Sequence, residues 1–483
     1  MKRSAFILAI VMACQISSAR AEVRDFKVTT DKTVDTSSLE SIARDVFALS
    51  GAKTNDEKAI ALYQWLHHTI FHHAYPTEPR PQSVGPLKII NVYGYGLCGS
   101  QHTVLKALYE TAGWKCRYVG WPGHTTIEVF YDDRWHYLDV FLKCYFWDKK
   151  KQYIVGQEEI AADGTLVLDA VREGRAAPNH LCCGDSEKGI VDGVRRLRVI
   201  GDQKGWGSCT WRDVDYSPTL TLPSGAALRL EWRGFPDGYA TKKPAVHTCG
   251  NKDYVKDSVL GPRLEHYGPR SYSSGTIRYA PRFDKAADLS DIELTNARAE
   301  RGQLVATAQA SAVFRLVLPY PLVSARVTVT GSKDRKQVLV SVDRGATWKP
   351  ASGESITELV RQRYAVWIKV EFTGTLTRFE LTGVVQHNRD ALPYLVPGEN
   401  RITVTTADGR LPVGCVLVVS YSFQEASVPE GVARTRFDGS QVSYGPVKTV
   451  TRVIQQVPHT FVIEVGGNTY PKMVALEREV RPE

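Results

Sequence analysis

Apolar residues recur at three- and four-residue intervals in two stretches near the start of the chain. Leu39, Ile42, Ala43, Val46 and Leu49 begin at Ser37-Ser38-Leu39-Glu40 and stop at Gly51. That opening reads as a capping box, in which a hydroxyl and a carboxylate three residues on satisfy each other's backbone amides. Ala59, Leu62, Tyr63, Leu66 and Ile70 follow a second such box, Thr54-Asn55-Asp56-Glu57. Both stretches are predicted to be amphipathic helices. Pro76, Pro79, Pro81 and Pro86 then force about ten non-helical residues. A glycine-broken approach, Asn91-Val92-Tyr93-Gly94-Tyr95-Gly96-Leu97, leads to Cys98-Gly99-Ser100-Gln101. A third helix follows, with Val104, Leu105, Leu108 and Ala112 inward and Gly113 as its end.

From Arg117 the period drops to two. Residues 124–131 alternate, Asp132-Asp133 forms a turn, and 135–141 alternate again, which predicts a hairpin. Beyond about residue 195 no further helix pattern is legible, and Gly-, Pro- and Tyr-rich sequence to about residue 280 reads as loops. Strand patterns return at 326–330, 338–342, 364–372, 401–405 and 461–465. Tyr364, Val366, Ile368 and Val370 share one face, the mark of a sheet buried on one side.

Composition adds scale. The 483 residues suggest about three domains, and 43% apolar with 23% charged residues is ordinary for a globular chain. The predicted division is a leader at 1–21, an α+β domain at 22–195, a loop-rich connection at 196–280, and β-sandwich or jelly-roll domains at 281–400 and 401–483. The net charge of +9 falls to +6 without Lys2, Arg3 and Arg20, and no basic block is present, which argues against a nucleic-acid partner. No stretch after the N-terminus approaches the roughly 18 apolar residues of a membrane span.

The N-terminus reads as an export signal: basic Lys2 and Arg3, an apolar run from Ala5 to Ala13, and Ala19-Arg20-Ala21 as a small-x-small cleavage pattern before Glu22. The expected location is therefore secreted or periplasmic. Val11-Met12-Ala13-Cys14 offers a rival lipobox reading, with a lipid anchor at Cys14. Export leaves Cys98, Cys116, Cys144, Cys182, Cys183, Cys209, Cys249 and Cys415 in an oxidising compartment, where disulfides are expected. Cys415 opens a strand whose face continues through Leu417, Val419 and Tyr421, so it reads as a small core hydrophobe.

Candidate chemistry lies between residues 91 and 140. A cysteine at a helix start has amides and a helix dipole that favour the thiolate, the nucleophilic form. With Asp132-Asp133 as a two-residue turn, residue 131 faces 134, 126 faces 139 and 124 faces 141. His124 and Asp139 are then diagonal neighbours on one face, as a Cys–His–Asp triad requires. His102, on the helix of Cys98 itself, is a rival base.

These residues resemble a known family. Gly96-Leu97-Cys98 at a helix start, Gly123-His124 with Glu128-Val129, and Trp135-His136-Tyr137-Leu138-Asp139 look like the Cys, His and Asp boxes of the transglutaminase-like superfamily. Asn55-Asp56-Glu57-Lys58-Ala59 through Tyr63-Gln64-Trp65-Leu66 looks like the helix such domains carry upstream. The resemblance covers about 36–145 and implies a papain-like α+β core with Cys98 as nucleophile, His124 as base and Asp139 as orienter. Thr126 stands where many members have an aromatic residue, which alters the pocket beside the triad. One oxyanion donor is expected from the Cys98 or Gly99 amide and a second from Asn91, Tyr93 or Tyr95.

The expected activity is an exported thiol enzyme acting on amide or peptide bonds of a protein or peptide substrate. Resolution by water makes it a hydrolase, and resolution by an amine an acyltransferase; neither route needs a metal or an organic cofactor. The alternative is a non-catalytic cell-surface or carbohydrate-binding protein with a degenerate fold of this type, whose β modules hold a glycan. Three further clusters have plainer readings. His67, His68, His72 and His73 sit at a helix end, which favours histidine through the dipole. His180, Cys182, Cys183 and Asp185 read as part of the disulfide framework. Ser341-Val342-Asp343-Arg344-Gly345-Ala346-Thr347-Trp348 is one copy of an Asp-box turn, without the repeats of a propeller.

Overall fold

The computed structural model describes residues 20–72, 75–80, 82–176, 186–201, 205–206, 209–210, 213–233, 273–332, 336–431 and 441–483, with the backbone alone at 205–206 and 209–210. The leader through residue 19, Cys14, His73, Pro81, His180, Cys182, Cys183, Asp185 and Cys249 lie outside the described residues. Among the described residues no helix is long and apolar enough to cross a membrane.

The predicted helices form at Leu39–Ser50, Asn55–Thr69 and Cys98–Thr111. Thr54 and Glu57 make the capping box read from sequence. The first helix is capped one residue later than expected. Ser38, not Ser37, is the N-cap, and Ser41 completes the box in place of Glu40 because its hydroxyl reaches the Ser38 amide at 3.0 Å. The glycine-broken approach contains a turn of π-helix, Ile89–Tyr93, ended by Gly94 in the left-handed region (φ 64°).

These helices pack on a five-stranded antiparallel sheet in the order Cys144–Tyr145, Arg134–Asp139, His124–Tyr131, Lys115–Trp121, Arg198–Gly201. The predicted hairpin has the predicted register: Tyr131 faces Arg134 and Ile127 faces Leu138. Asp132 and Asp133 both take positive φ, at 48° and 59°, as a tight two-residue hairpin turn demands. Short helices at Gln157–Ala162, Thr165–Arg172 and Glu187–Gly193 contribute a second apolar cluster around Tyr137, Phe146 and Val167.

The rest of the described residues is mostly β-strand in large antiparallel sheets, so the α+β-then-β order holds. A twelve-stranded sheet includes Ala226–Glu231, Ser273–Tyr279, Gln303–Val317, Thr375–His387, Cys415–Ser427 and Thr469–Pro482. Val366, Ile368, Val370 and Phe372 are buried along Ala365–Phe372, on the face the alternation marks. Two strands, Ala226–Glu231 and Ser273–Tyr279, occupy sequence read as loop, because their alternation is short and carried partly by alanine, serine and glycine. Ala226–Glu231 pairs with both Ser273–Tyr279 and Thr469–Pro482, so strands from before residue 280 and after residue 400 share this sheet.

The two regions interlock. Lys27–Thr30 pairs with Gly398–Thr405 in a three-stranded sheet. Asn388 donates through Nδ2 to the Thr69 and Ile90 carbonyls at 3.0 and 2.7 Å, and its own amide donates to Asn91 O at 2.9 Å. One apolar cluster runs from Ile42, Leu62 and Leu105 to Leu228, Val366 and Leu417.

Candidate active site

Cys98 is the first residue of its helix, and no side chain caps that end. The N-terminal amides and dipole are thus left to favour negative charge at the thiol. Gly96 allows the approach: a Cβ there would lie 2.7 Å from Ser100 Cβ. Residues Phe71–His72 pair in parallel with Tyr95–Gly96, which fixes the strand that delivers Cys98.

The hairpin brings His124 and Asp139 together, with His124 Nε2 2.6 Å from Asp139 Oδ2. His124 is 4% exposed and Asp139 fully buried. The other ring nitrogen, Nδ1, is buried and has no hydrogen-bond partner among the described residues. The Cys98 thiol is close enough to His124, His72 and the Thr125 amide for each to act on its charge. The three residues singled out in the sequence are therefore adjacent, in the order thiol, imidazole, carboxylate.

Charge follows from this geometry. Burial pushes the Cys98 thiol up, but the nearby His124 and His72 side chains and the His124 charge outweigh it, lowering the value from 9.0 to about 6. Burial also opposes charge on His124, yet the Asp139 carboxylate raises it to about 9. Asp139, despite complete burial, is held at about 2 by His124, His102 and the Leu142 amide. Between those limits the favoured state is thiolate beside imidazolium.

The carboxylate is fully supplied with donors. Tyr137 Oη donates to Oδ2 at 2.8 Å while accepting from Trp121 Nε1 at 2.8 Å, and the Leu142 amide donates to Oδ1 at 2.7 Å. Sequence reading missed Tyr137 and Trp121 in this role, although Tyr137 lies two residues from Asp139 on a strand and so on its face.

His102, the rival base, is fully buried behind the carboxylate. Its Nε2 accepts from the Val140 amide at 3.1 Å, so Nδ1 carries the proton and donates to Cys98 O at 2.8 Å. Burial lowers its pKa to about 4, so it is a neutral brace between the helix start and the Asp139 turn. Two of the expected oxyanion donors are committed elsewhere. Asn91 Nδ2 donates to the Thr36 and Leu87 carbonyls, and the Tyr93 hydroxyl donates to Glu78. Tyr95 packs against Phe71 and Tyr93.

Thr126 is buried, with its hydroxyl donating to Leu138 O at 3.3 Å, and the ring beside His124 comes instead from Phe141, at 4.9 Å between centroids. Glu128, part of the His box, is a structural anchor that accepts from Arg117 Nε at 2.7 Å and from the Gln157 amide. Cys98, Cys116, Cys144 and Cys415 are free thiols, as expected of Cys98 and Cys415, which corrects the disulfide expectation for Cys116 and Cys144. Cys116 and Cys144 are too deeply placed to ionise readily. Cys415 is 4% exposed in the core, as its strand pattern predicts. Ser341, Asp343, Gly345 and Thr347 close the Asp-box turn, with the Thr347 amide 2.9 Å from Asp343 Oδ1. No group of three or more His, Cys, Asp or Glu side chains among the described residues is arranged to hold a metal.

Residues 40–145 match the family model of the transglutaminase-like superfamily, so this part of the chain is a domain of that type. The match covers the three helices and the hairpin, under a quarter of the chain. No curated protein and no solved structure matches it.

Proposed function

We propose that this chain is a thiol enzyme acting on amide or peptide carbonyls, with Cys98 as nucleophile, His124 as proton carrier and Asp139 as its orienter. The observation that carries the reading is the buried 2.6 Å bond from Asp139 to His124 beside a helix-start thiol whose pKa is lowered to about 6. The thiolate forms a bond to the carbonyl carbon, and the carbonyl π pair moves to oxygen. On collapse the C–N bond breaks and the leaving nitrogen takes the proton held by His124. Water then releases an acid, or an amine forms a new amide, with His124 removing the proton of either acceptor.

A protein or peptide is the substrate class that fits this chemistry, and the β region is proposed to engage it or a surface glycan. Export remains part of the proposal, supported by the leader pattern before Glu22. Ala21, at the expected cleavage point, is 3% exposed and its amide donates to Ser290 Oγ at 3.0 Å.

The test is the pH dependence of iodoacetamide alkylation on the native protein, with mass-spectrometric mapping of the labelled cysteine. Selective labelling of Cys98 well below the ordinary thiol value of ~8.5 supports the proposal. Labelling no faster than an ordinary thiol, or a Cys98→Ala variant that retains full biological activity, defeats it and favours the non-catalytic reading.

A further inference from the structure

The Cys98 thiol receives a second imidazole that the proton chemistry above does not use. His72 lies far upstream, just after the helix Asn55–Thr69, yet its ring reaches Cys98 alongside His124. Two contacts hold it there. Its backbone pairs with Gly96, two residues before the nucleophile, and the preceding Phe71 amide donates to Gly94 O at 2.9 Å. Its ring lies on Phe141 with centroids 4.0 Å apart and planes inclined by 29°. Phe141 in turn packs on the His124 ring at 4.9 Å. One aromatic side chain therefore spaces both imidazoles that reach the sulfur.

The two rings are not equivalent. His124 is tied through Nε2 to a buried carboxylate and so carries charge and proton. Acyl transfer also needs donors aimed at the oxygen that becomes negative, and a helix-start amide supplies one of them. With Asn91 and Tyr93 committed to other partners, His72 is a side chain at the thiol that has no place in the proton relay.

Resting on the thiol-enzyme reading, we propose that His72 is the second oxyanion-hole donor, its ring N–H passing from the thiolate to the substrate carbonyl oxygen as the sulfur–carbon bond forms. The sulfur lone pair makes that bond, the π pair moves to oxygen, and the oxyanion accepts from His72. The pair returns on collapse as the leaving group departs, and His72 keeps its proton throughout.

Two reagents separate this role from thiol activation. Acylation of Cys98 by p-nitrophenyl acetate passes through an oxyanion, whereas alkylation by iodoacetamide does not. Both rates scale with the thiolate fraction, so their ratio isolates the oxyanion contribution. In the full chain, His72→Phe keeps an aromatic ring for Phe141 and removes the donor. It should lower the acylation-to-alkylation ratio about 100-fold, and His72→Gln, which restores an N–H, should recover most of that loss. A ratio unchanged in His72→Phe overturns the proposal while leaving the thiol-enzyme reading intact. A wild-type Cys98 that neither reagent labels selectively removes both. Should His72→Phe fail to fold, His72→Ala read for the same ratio decides the matter.

Discussion

His124 and Tyr137 bind the same atom: Asp139 Oδ2 accepts from the imidazole at 2.6 Å and from the phenol at 2.8 Å. The phenol is itself fixed by Trp121 Nε1, and Trp121 is the cross-strand partner of His124. Four side chains on three adjacent strands thus close a loop of contacts around one carboxylate. Removing the phenol oxygen weakens the carboxylate's hold and orphans the indole. Tyr137→Phe should cost about 1.5–3 kcal/mol of stability at neutral pH, read from urea unfolding. Asp139 ionises more easily folded than unfolded, so its contribution is present above about 3.8 and lost as pH falls through about 2. The variant should lose part of that acid tolerance.

The thiol and imidazole values define a working window. Alkylation of Cys98 should rise through about pH 6, where the thiolate forms, and amide acyl transfer should fall above about pH 9, where His124 loses its proton. Without the imidazolium the thiol returns toward ~8.5, so His124→Ala should slow alkylation at pH 7 about 30-fold. His124 is raised above its ordinary 6.5, so its stabilising contribution is full below that value and is lost as pH rises through about 9. Rate measurements across pH 5–10 and melting curves over the same range check both limbs.

His102 should behave as a brace and not as a base. His102→Ala leaves the Cys98 carbonyl and the Val140 amide without their partner in a fully buried place. About 3 kcal/mol of destabilisation is expected from two orphaned groups. A merely shifted pH–rate profile with unchanged stability would speak for a proton-carrying role instead.

Gly94 is intolerant of any side chain. Its φ of 64° strains an L-residue, and a Cβ would come within 2.6 Å of the Asn388 side chain. Gly94→Ala should destabilise by at least about 2 kcal/mol and disturb the strand leading to Cys98. Asn388→Ala should do so differently, leaving the Thr69 and Ile90 carbonyls unpaired while Gly94 gains room. Urea unfolding and the Cys98 alkylation rate read both variants.

Much of the site could be read from residues in order, because its parts obey local rules. Two aspartates at a turn fix a hairpin register, and that register puts His124 beside Asp139 without any long-range information. A glycine-rich turn before a helix fixes Cys98. His72 escaped because its place depends on a two-residue parallel pairing with Tyr95–Gly96, too short to leave a periodic trace. Its neighbours His67 and His68 also drew attention to the helix end instead. The β region was legible as strands wherever one face is continuously apolar, as at Ala365–Phe372. It was illegible where strands such as Glu293–Glu300 and Ser443–Ile454 are largely exposed and carry little apolar alternation.

The strand Lys27–Thr30 has its partner at Gly398–Thr405, and Asn388 braces the segments that carry His72 and the approach to Cys98. During synthesis the first strand must therefore wait, unpaired, until nearly the whole chain has emerged. Contacts this distant in sequence make folding slow and leave strand edges open meanwhile. Cys98 is consequently set in its final frame only after much of the last third of the polypeptide exists, so a prematurely terminated chain would carry this thiol without the scaffold around it.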